Sequence, residues 1–212
     1  MAQVFPRSAN IIARLSLLLG IVLIGAGAAL AVILPMAFTP TVQGQPVPFS
    51  HKEHVGNLGI DCRYCHTTVE TSAFAGMPSS EVCMNCHSEI LSDSAELQPV
   101  RDSALNGTPL VWNQVYKLAD YVYFDHSAHI NKGVACVTCH GQVDQMDVIV
   151  QASSLQMSWC MNCHRDPGPN IRPRNQVFNM SWQAQDDLNA LTSQLVADYD
   201  VQSKTSCSTC HR

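Results

Sequence analysis

Charge is scarce in this sequence. Only 14% of its 212 residues are Asp, Glu, Lys or Arg, against about a quarter in an ordinary soluble domain. The 12 Lys and Arg residues form no cluster, which excludes the basic stripe that nucleic-acid binding requires. With 17 acidic residues the net charge is a modest -5. Apolar residues are unevenly placed: they crowd into the first forty positions, and the chain beyond them is rich in Ser, Asn, Gln, Cys and His. A chain of this length would make one or two domains, but the composition beyond position 40 argues against an ordinary apolar core. Cysteine is abundant, and 10 of them is too many for a cytosolic enzyme without a specific use.

Leu15 to Leu34 is free of charge (LSLLLGIVLIGAGAALAVIL). At about 1.5 Å per residue such a run crosses a hydrocarbon core of about 30 Å. A cleaved signal peptide is the alternative, with Ala29-Leu30-Ala31 as its cleavage site, but the apolar run exceeds the signal core of about 7–15 residues. An uncleaved anchor is therefore expected. Arg7 and Arg14 precede the span, and the next basic residue is Lys52. The positive-inside rule then puts the N-terminus in the cytoplasm and the remaining chain on the periplasmic side of the inner membrane. Gly25 and Ala29, four apart among Gly20, Gly27 and several alanines, offer a small-residue face for a neighbouring helix. Pro35, Pro40, Pro46 and Pro48 come next, a composition that favours an extended tether.

All ten cysteines fall into five copies of Cys-x-x-Cys-His: Cys62, Cys65 and His66; Cys83, Cys86 and His87; Cys136, Cys139 and His140; Cys160, Cys163 and His164; Cys207, Cys210 and His211. Two thiols about one turn apart form thioethers to the vinyl groups of one haem, and the adjacent imidazole reaches the iron. Zinc is one alternative, because 17 residues separate Cys65 from Cys83 and 20 separate Cys139 from Cys160, as in a four-cysteine ribbon. Disulfides are another, plausible outside the cell. Neither needs a histidine after each pair. Five such placements by chance have a probability of roughly one in ten million, whereas c-type haem attachment requires all of them. Five covalently bound c-type haems are expected.

Five of the 9 histidines belong to these motifs. The other four, His51, His54, His126 and His129, occur in two copies of Phe-x-His-x-x-His beginning at Phe49 and Phe124. On a helical turn, positions three apart share a face, so one turn can supply distal ligands to two haems. Five six-coordinate haems need ten axial ligands, and nine histidines leave one short. Methionine is the usual substitute and raises the potential. Met157 is the favoured candidate and Met146 the next, with Met77 and Met180 also near haem motifs; a methionine is more often packing than ligand. His51 and His126 are expected to serve the first motif of their own halves.

The two halves align, 49–87 with 124–164, and the second motif of each reads Cys-Met-Asn-Cys-His. Such repetition suggests duplication of a two-haem unit. The expected division is a cytoplasmic N-terminus (1–14), transmembrane anchor (15–34), Pro-rich tether (35–48), first two-haem unit (49–87), connector (88–123), second two-haem unit (124–164), and a C-terminal helix with the fifth haem (165–212). In the connector, Trp112, Tyr116, Tyr121 and Tyr123 either pack on haem faces or form local core, the second being the safer expectation. Leu188, Leu191, Leu195 and Tyr199 recur at helical spacing, with Ser181 as a possible N-cap. The expected fold is mostly α and irregular, with one N-terminal transmembrane helix and a multihaem cytochrome c domain of short helices and loops packed around haems.

The two halves resemble multihaem cytochromes of the cytochrome c7 and c3 kind. The whole layout, with Val122-Tyr123-Phe124-Asp125-His126-Ser127-Ala128-His129 and Trp159-Cys160-Met161-Asn162-Cys163-His164-Arg165, closely resembles the pentahaem subunit of alternative complex III. That resemblance implies an electron-transfer subunit, without catalytic residues of its own, in a respiratory or photosynthetic membrane complex that oxidises menaquinol and reduces a periplasmic carrier. It implies an iron–sulfur subunit and polytopic quinol-binding subunits as partners, and a monohaem cytochrome c or blue copper protein as acceptor. It also implies four bis-histidine haems and one His/Met haem. An autonomous membrane-anchored quinol dehydrogenase feeding a periplasmic reductase is the alternative. That family typically places Met two residues after the first haem histidine, where this chain has His66-Thr67-Thr68.

Overall fold

A computed structural model describes residues 6–36, 44–184 and 188–211. The chain divides into two units, Met1–Pro40 and Thr41–Arg212. Among its described residues the first unit holds one helix, α1 (Arg7–Met36). Its stretch Ser8–Ile33, with mean hydropathy 2.6, is long and apolar enough to cross a membrane. Length and composition of this kind suit an anchor and a signal sequence alike. The helix extends beyond the charge-free run Leu15–Leu34 at both ends. The tether expected over 35–48 lies in large part outside the described residues.

The second unit consists of short helices joined by irregular chain, and among the described residues it has no strand, only one bridge between Val134 and Ile171. A π-helical turn at Lys52–Asn57 comes after His51. Next come α2 (Cys62–Cys65), α3 (Ser80–His87) and α4 (Gln98–Asn106). The equivalent of the first turn is α5 (His126–Asn131), followed by α6 (Cys136–His140) and α7 (Met157–Arg165). The unit closes with α8 (Leu188–Asp198) and α9 (Cys207–Cys210). The helices are short because the sequence sets chemistry, not apolar periodicity, at most positions. Capping offsets part of the cost: the Asp61 carboxylate accepts from the Arg63 backbone N–H at the start of α2, and Asp125 accepts from Ala128 N–H at the start of α5. Pro99 stands in the first turn of α4, where it loses no helical bond, and Gly107 ends that helix in the left-handed conformation.

Apolar packing is confined to two small clusters. Val69, Ile130 and Val177 pack with Ala75, Cys136 and Phe178. Val134, Ile171 and Leu195 pack with Leu191, Val196, Tyr199 and Val201, which docks α8 by Leu191 and Leu195, whereas Leu188, at the same helical spacing, is exposed. Ser181 is not the N-cap of that helix. It lies in a turn whose backbone N–H donates to the Asn179 side chain, and the chain is irregular through Ala184.

The repeat persists as a reciprocal exchange between halves. Six and seven residues beyond His66, the carbonyls of Ser72 and Ala73 accept from the N–H groups of Ser127 and His126. Six residues beyond His140, the carbonyl of Met146 accepts from Lys52 N–H, and the Asp147 carboxylate takes Ser50 and Lys52. Each first-motif loop thus holds the other half's histidine turn.

Gly133 closes α5 with φ +84°, where a Cβ would lie 2.5 Å from the Arg172 carbonyl and 3.1 Å from the Tyr199 ring. Gly133→Ala should therefore destabilise the second unit by about 2–4 kcal/mol, from left-handed strain plus a backbone clash. Calorimetry of the detergent-solubilised chain checks this; an unchanged melting temperature would refute it.

Candidate functional site

Each Cys-x-x-Cys pair lies on a helical turn, which places its two sulfurs one turn apart on one face. In α2 and α9 the histidine N–H closes the turn onto the carbonyl of the first cysteine, at 2.9 Å for His66 and 3.0 Å for His211. All ten cysteines are free thiols, so the disulfide alternative finds no support. Among the described residues no group of three or more His, Cys, Asp or Glu side chains converges as a metal cage, which counts against a zinc ribbon. Haem brings four nitrogen donors of its own, and a protein need add only one or two.

The imidazoles come in facing pairs. His54 and His87 have ring centroids 6.1 Å apart, His129 and His164 6.0 Å, and His126 and His140 6.4 Å with nearly parallel planes. With metal–nitrogen bonds of about 2.0–2.1 Å and a ring nitrogen about 1.2 Å from its centroid, two imidazoles across one iron would stand about 6.4–6.6 Å apart. The three spacings in this chain come within about 0.6 Å of that value.

Tautomers are fixed by the backbone. Nδ1 of His54, His66, His87, His126, His129, His164 and His211 lies 2.7–3.1 Å from the carbonyls of Ser50, Gly76, Ile90, Ala73, Asp125, Lys204 and Tyr121, respectively. A carbonyl only accepts, so Nδ1 carries a proton, and in the neutral form of each ring the lone pair is on Nε2. This is the arrangement by which an outer carbonyl orients a metal-binding imidazole. His51 differs: its Nδ1 is buried without a partner.

Burial keeps the central rings neutral. Desolvation, reinforced by neighbouring imidazoles, lowers His51 and His140 to about 4, and burial lowers His129 as well. Metal ligands must be deprotonated, and these need no proton removed at neutral pH. Among the thiols, a hydrogen bond from Cys136 is the main cause that lowers Cys62 to about 7, and the same bond raises Cys136. Burial raises Cys139 to about 11, with Cys163 and Cys160 adding to it. Burial also raises Cys65 and Cys160, the first helped by Cys83 and the second by Cys210. The motifs are thus close neighbours of one another.

Phenylalanine sets both histidines of each turn. Phe49 stacks on His54 at 4.4 Å and meets His51 edge-on at 4.8 Å; Phe124 does the same to His129 and His126 at the same two distances. The first turn is π-helical and the second α-helical, yet the ring geometry repeats. The connector aromatics are not local core. Tyr116 lies 4.4 Å from the His140 ring, Tyr121 5.7 Å from His211, and Trp112 6.5 Å from Phe49. Their aromatic enrichment was the only sequence signal. The Tyr116 hydroxyl donates to the His140 and Val150 carbonyls and accepts from Ala152 N–H.

The methionines are less gathered. Met157 opens α7, largely exposed, one turn before Cys160. Met146 ends a turn beside Gly141, where its methyl would lie 3.4 Å from an added Cβ. Met77 is exposed and Met180 buried.

Free paired thiols, imidazoles backed at Nδ1 by carbonyls, and ring pairs 6.0–6.4 Å apart fit covalently bound haem, and they define a multihaem c-type cytochrome. Residues 47–99 and 122–212 match the family described as cytochrome c7 and related cytochrome c, and the chain belongs to that family. It is 40% identical over 123 residues to the multiheme cytochrome c subunit of menaquinone reductase from Nitratidesulfovibrio vulgaris. The alignment covers 58% of this chain and 52% of that protein, so the chain spans about half the length of its curated relative.

Thioether-bound haem is not extracted by chelators. Incubation with excess chelator should leave the visible spectrum and the haem stain on a denaturing gel unchanged. Zinc ribbons would instead release metal and unfold.

Proposed function

We propose that this chain is the electron-transfer subunit of a quinone-linked membrane complex, relaying electrons through five c-type haems toward a periplasmic acceptor. The observation that carries the reading is the pairing of imidazoles with ring centroids 6.0–6.4 Å apart, all but His140 backed by a carbonyl, beside cysteine pairs able to anchor the same haem. Bound haem would supply reversible one-electron chemistry at iron; the chain's residues attach, orient and space it.

The proposed attachment residues are the ten cysteines, and the proximal ligands are His66, His87, His140, His164 and His211. The ring pairs support His54 opposite His87, His129 opposite His164, and His126 opposite His140. By the repeat, His51 then faces His66, whose ring is among its electrostatic neighbours. Each histidine turn would serve both haems of its half, the outer histidine taking the first motif and the inner one the second. His211 is left without a histidine partner. Met157 is its proposed sixth ligand, supported by its place one turn before Cys160, itself an electrostatic neighbour of Cys210. That makes four bis-histidine haems and one His/Met haem.

The resemblance to alternative complex III favours menaquinol oxidation. An iron–sulfur subunit and polytopic quinol-binding subunits would be partners, and a monohaem cytochrome c or blue copper protein the acceptor. In this reading α1 is an uncleaved anchor with its N-terminus in the cytoplasm. The domain bounds keep to the expected division, with the haem-bearing part outside the membrane. A second direction, menaquinone reduction, is favoured by the relative named a menaquinone reductase subunit.

Two measurements test this. Mass spectrometry of the native detergent-solubilised assembly should find five haems on this chain, together with iron–sulfur and polytopic subunits. A chain that runs alone would support the autonomous quinol dehydrogenase instead. Met157→Leu should remove the sulfur-to-iron charge-transfer band of one haem and lower that haem's potential, with four bis-histidine haems unchanged. A band that survives the substitution would reject Met157.

A further inference from the structure

We propose that the five Cys-x-x-Cys-His sites stand in single file in the order second, first, third, fourth, fifth, and that partner proteins exchange electrons with the chain at the second and fifth sites. The inference rests on the five-haem reading above and adds the path.

Four links carry the order. The second and first sites are joined by the Phe49 turn, whose His54 ring faces His87, and by a 3.0 Å hydrogen bond from Asn85, inside the second motif, to the Tyr64 hydroxyl, inside the first. The first and third sites meet where the halves exchange loops. The Ala73 carbonyl, seven residues beyond His66, holds both the backbone N–H and Nδ1 of His126, and His126 faces His140. Arg63, inside the first motif, covers the Phe178 ring, which packs in the same cluster as Cys136.

The third and fourth sites share the Phe124 turn, with His126 facing His140 and His129 facing His164. The fourth and fifth are tied by the segment that enters α9. The Lys204 carbonyl accepts from His164 Nδ1, and the Ser203 hydroxyl donates to the His164 carbonyl. The neighbour relations among the cysteines run in the same sequence: Cys83 with Cys65, Cys62 with Cys136, Cys139 with Cys163, and Cys160 with Cys210.

Order in space therefore departs from order in the chain. The first motif, not the second, abuts the second half, because its trailing loop holds the other half's histidine turn. The ends of the file coincide with exposure: Cys86 of the second motif and Cys207 of the fifth are the two exposed cysteines of the ten. Partners reach a cofactor only where its edge nears the surface. Each exchange moves one electron between an iron of this chain and the redox centre of a partner, with no bond made or broken. The partner at one end is oxidised by one electron, and the partner at the other end is reduced by one.

The test is an experimental structure of the haem-loaded full chain in its membrane assembly, after its haems have been counted by mass. Nearest-neighbour irons should trace second, first, third, fourth, fifth, with redox centres of other subunits nearest the second or fifth. Five haems in another iron order, or a partner centre closest to the first, third or fourth, would overturn the inference and leave the five-haem reading intact. Fewer than five haems would overturn that reading and the path with it.

Discussion

The hydrogen bond from a histidine Nδ1 to a backbone carbonyl is the interaction on which the rest of the second unit depends. It does two things at once. Chemically, it commits a proton to Nδ1, the arrangement by which an outer carbonyl leaves Nε2 as the ligand atom in a neutral ring. Structurally, it is long-range in several cases: Gly76 holds His66, Ala73 holds His126, Lys204 holds His164 and Tyr121 holds His211. These bonds fasten loops that no sheet and no long helix would hold. Only ten apolar residues are buried among the described ones, too few to order a unit of this length by hydrophobic burial alone. Holding the ligands and holding the fold are therefore largely the same set of contacts.

The exchange of loops between halves explains why the duplication was useful to the fold. A single unit presents a histidine turn with unsatisfied backbone N–H groups and a loop with spare carbonyls. Two units satisfy each other. The exchange is not symmetric in detail. Ala73 gives its carbonyl to both the N–H and Nδ1 of His126, whereas Asp147, at the equivalent place after His140, offers its carboxylate to Ser50 and Lys52. His51 is left with a buried, unpartnered Nδ1. An imidazole without an acceptor donates less electron density to a metal than one that has it. Under the proposed ligation the two halves, similar in sequence, would offer electronically different sites.

Much of the site is legible in the sequence because its chemistry dictates residue type and spacing. Cys-x-x-Cys-His needs one helical turn, and Phe-x-His-x-x-His needs another, so both survive as local patterns. The family and the mostly helical, irregular fold are read from them. Three things are not. The aromatic connector reads as local core, yet Tyr116 and Tyr121 lie against His140 and His211, contacts made 24 and 90 residues away. Ser181 is a plausible cap by residue type, but the Asn179 side chain turns the chain there first. The order of the sites is illegible because it depends on which loop satisfies which turn, a long-range choice that periodicity does not encode.

In the proposed reading the direction of flow depends on the partners as well as on this chain. A file of relays conducts either way, and the net sign depends on the potentials at its two ends. The chain's own contribution is the profile between them, set by axial ligands, by the backing of each imidazole and by burial. A His/Met site at the fifth position would lie higher in potential than bis-histidine neighbours, and at the end of the file it would favour holding an electron beside a partner. Such a profile suits delivery to a periplasmic acceptor from quinol. Reversal toward quinone reduction would require a donor able to reduce the file from the fifth site against that step. In the proposed reading the resemblance to a menaquinol-oxidising complex and the kinship with a menaquinone reductase subunit are compatible, since one file would serve either direction with a different partner at each end.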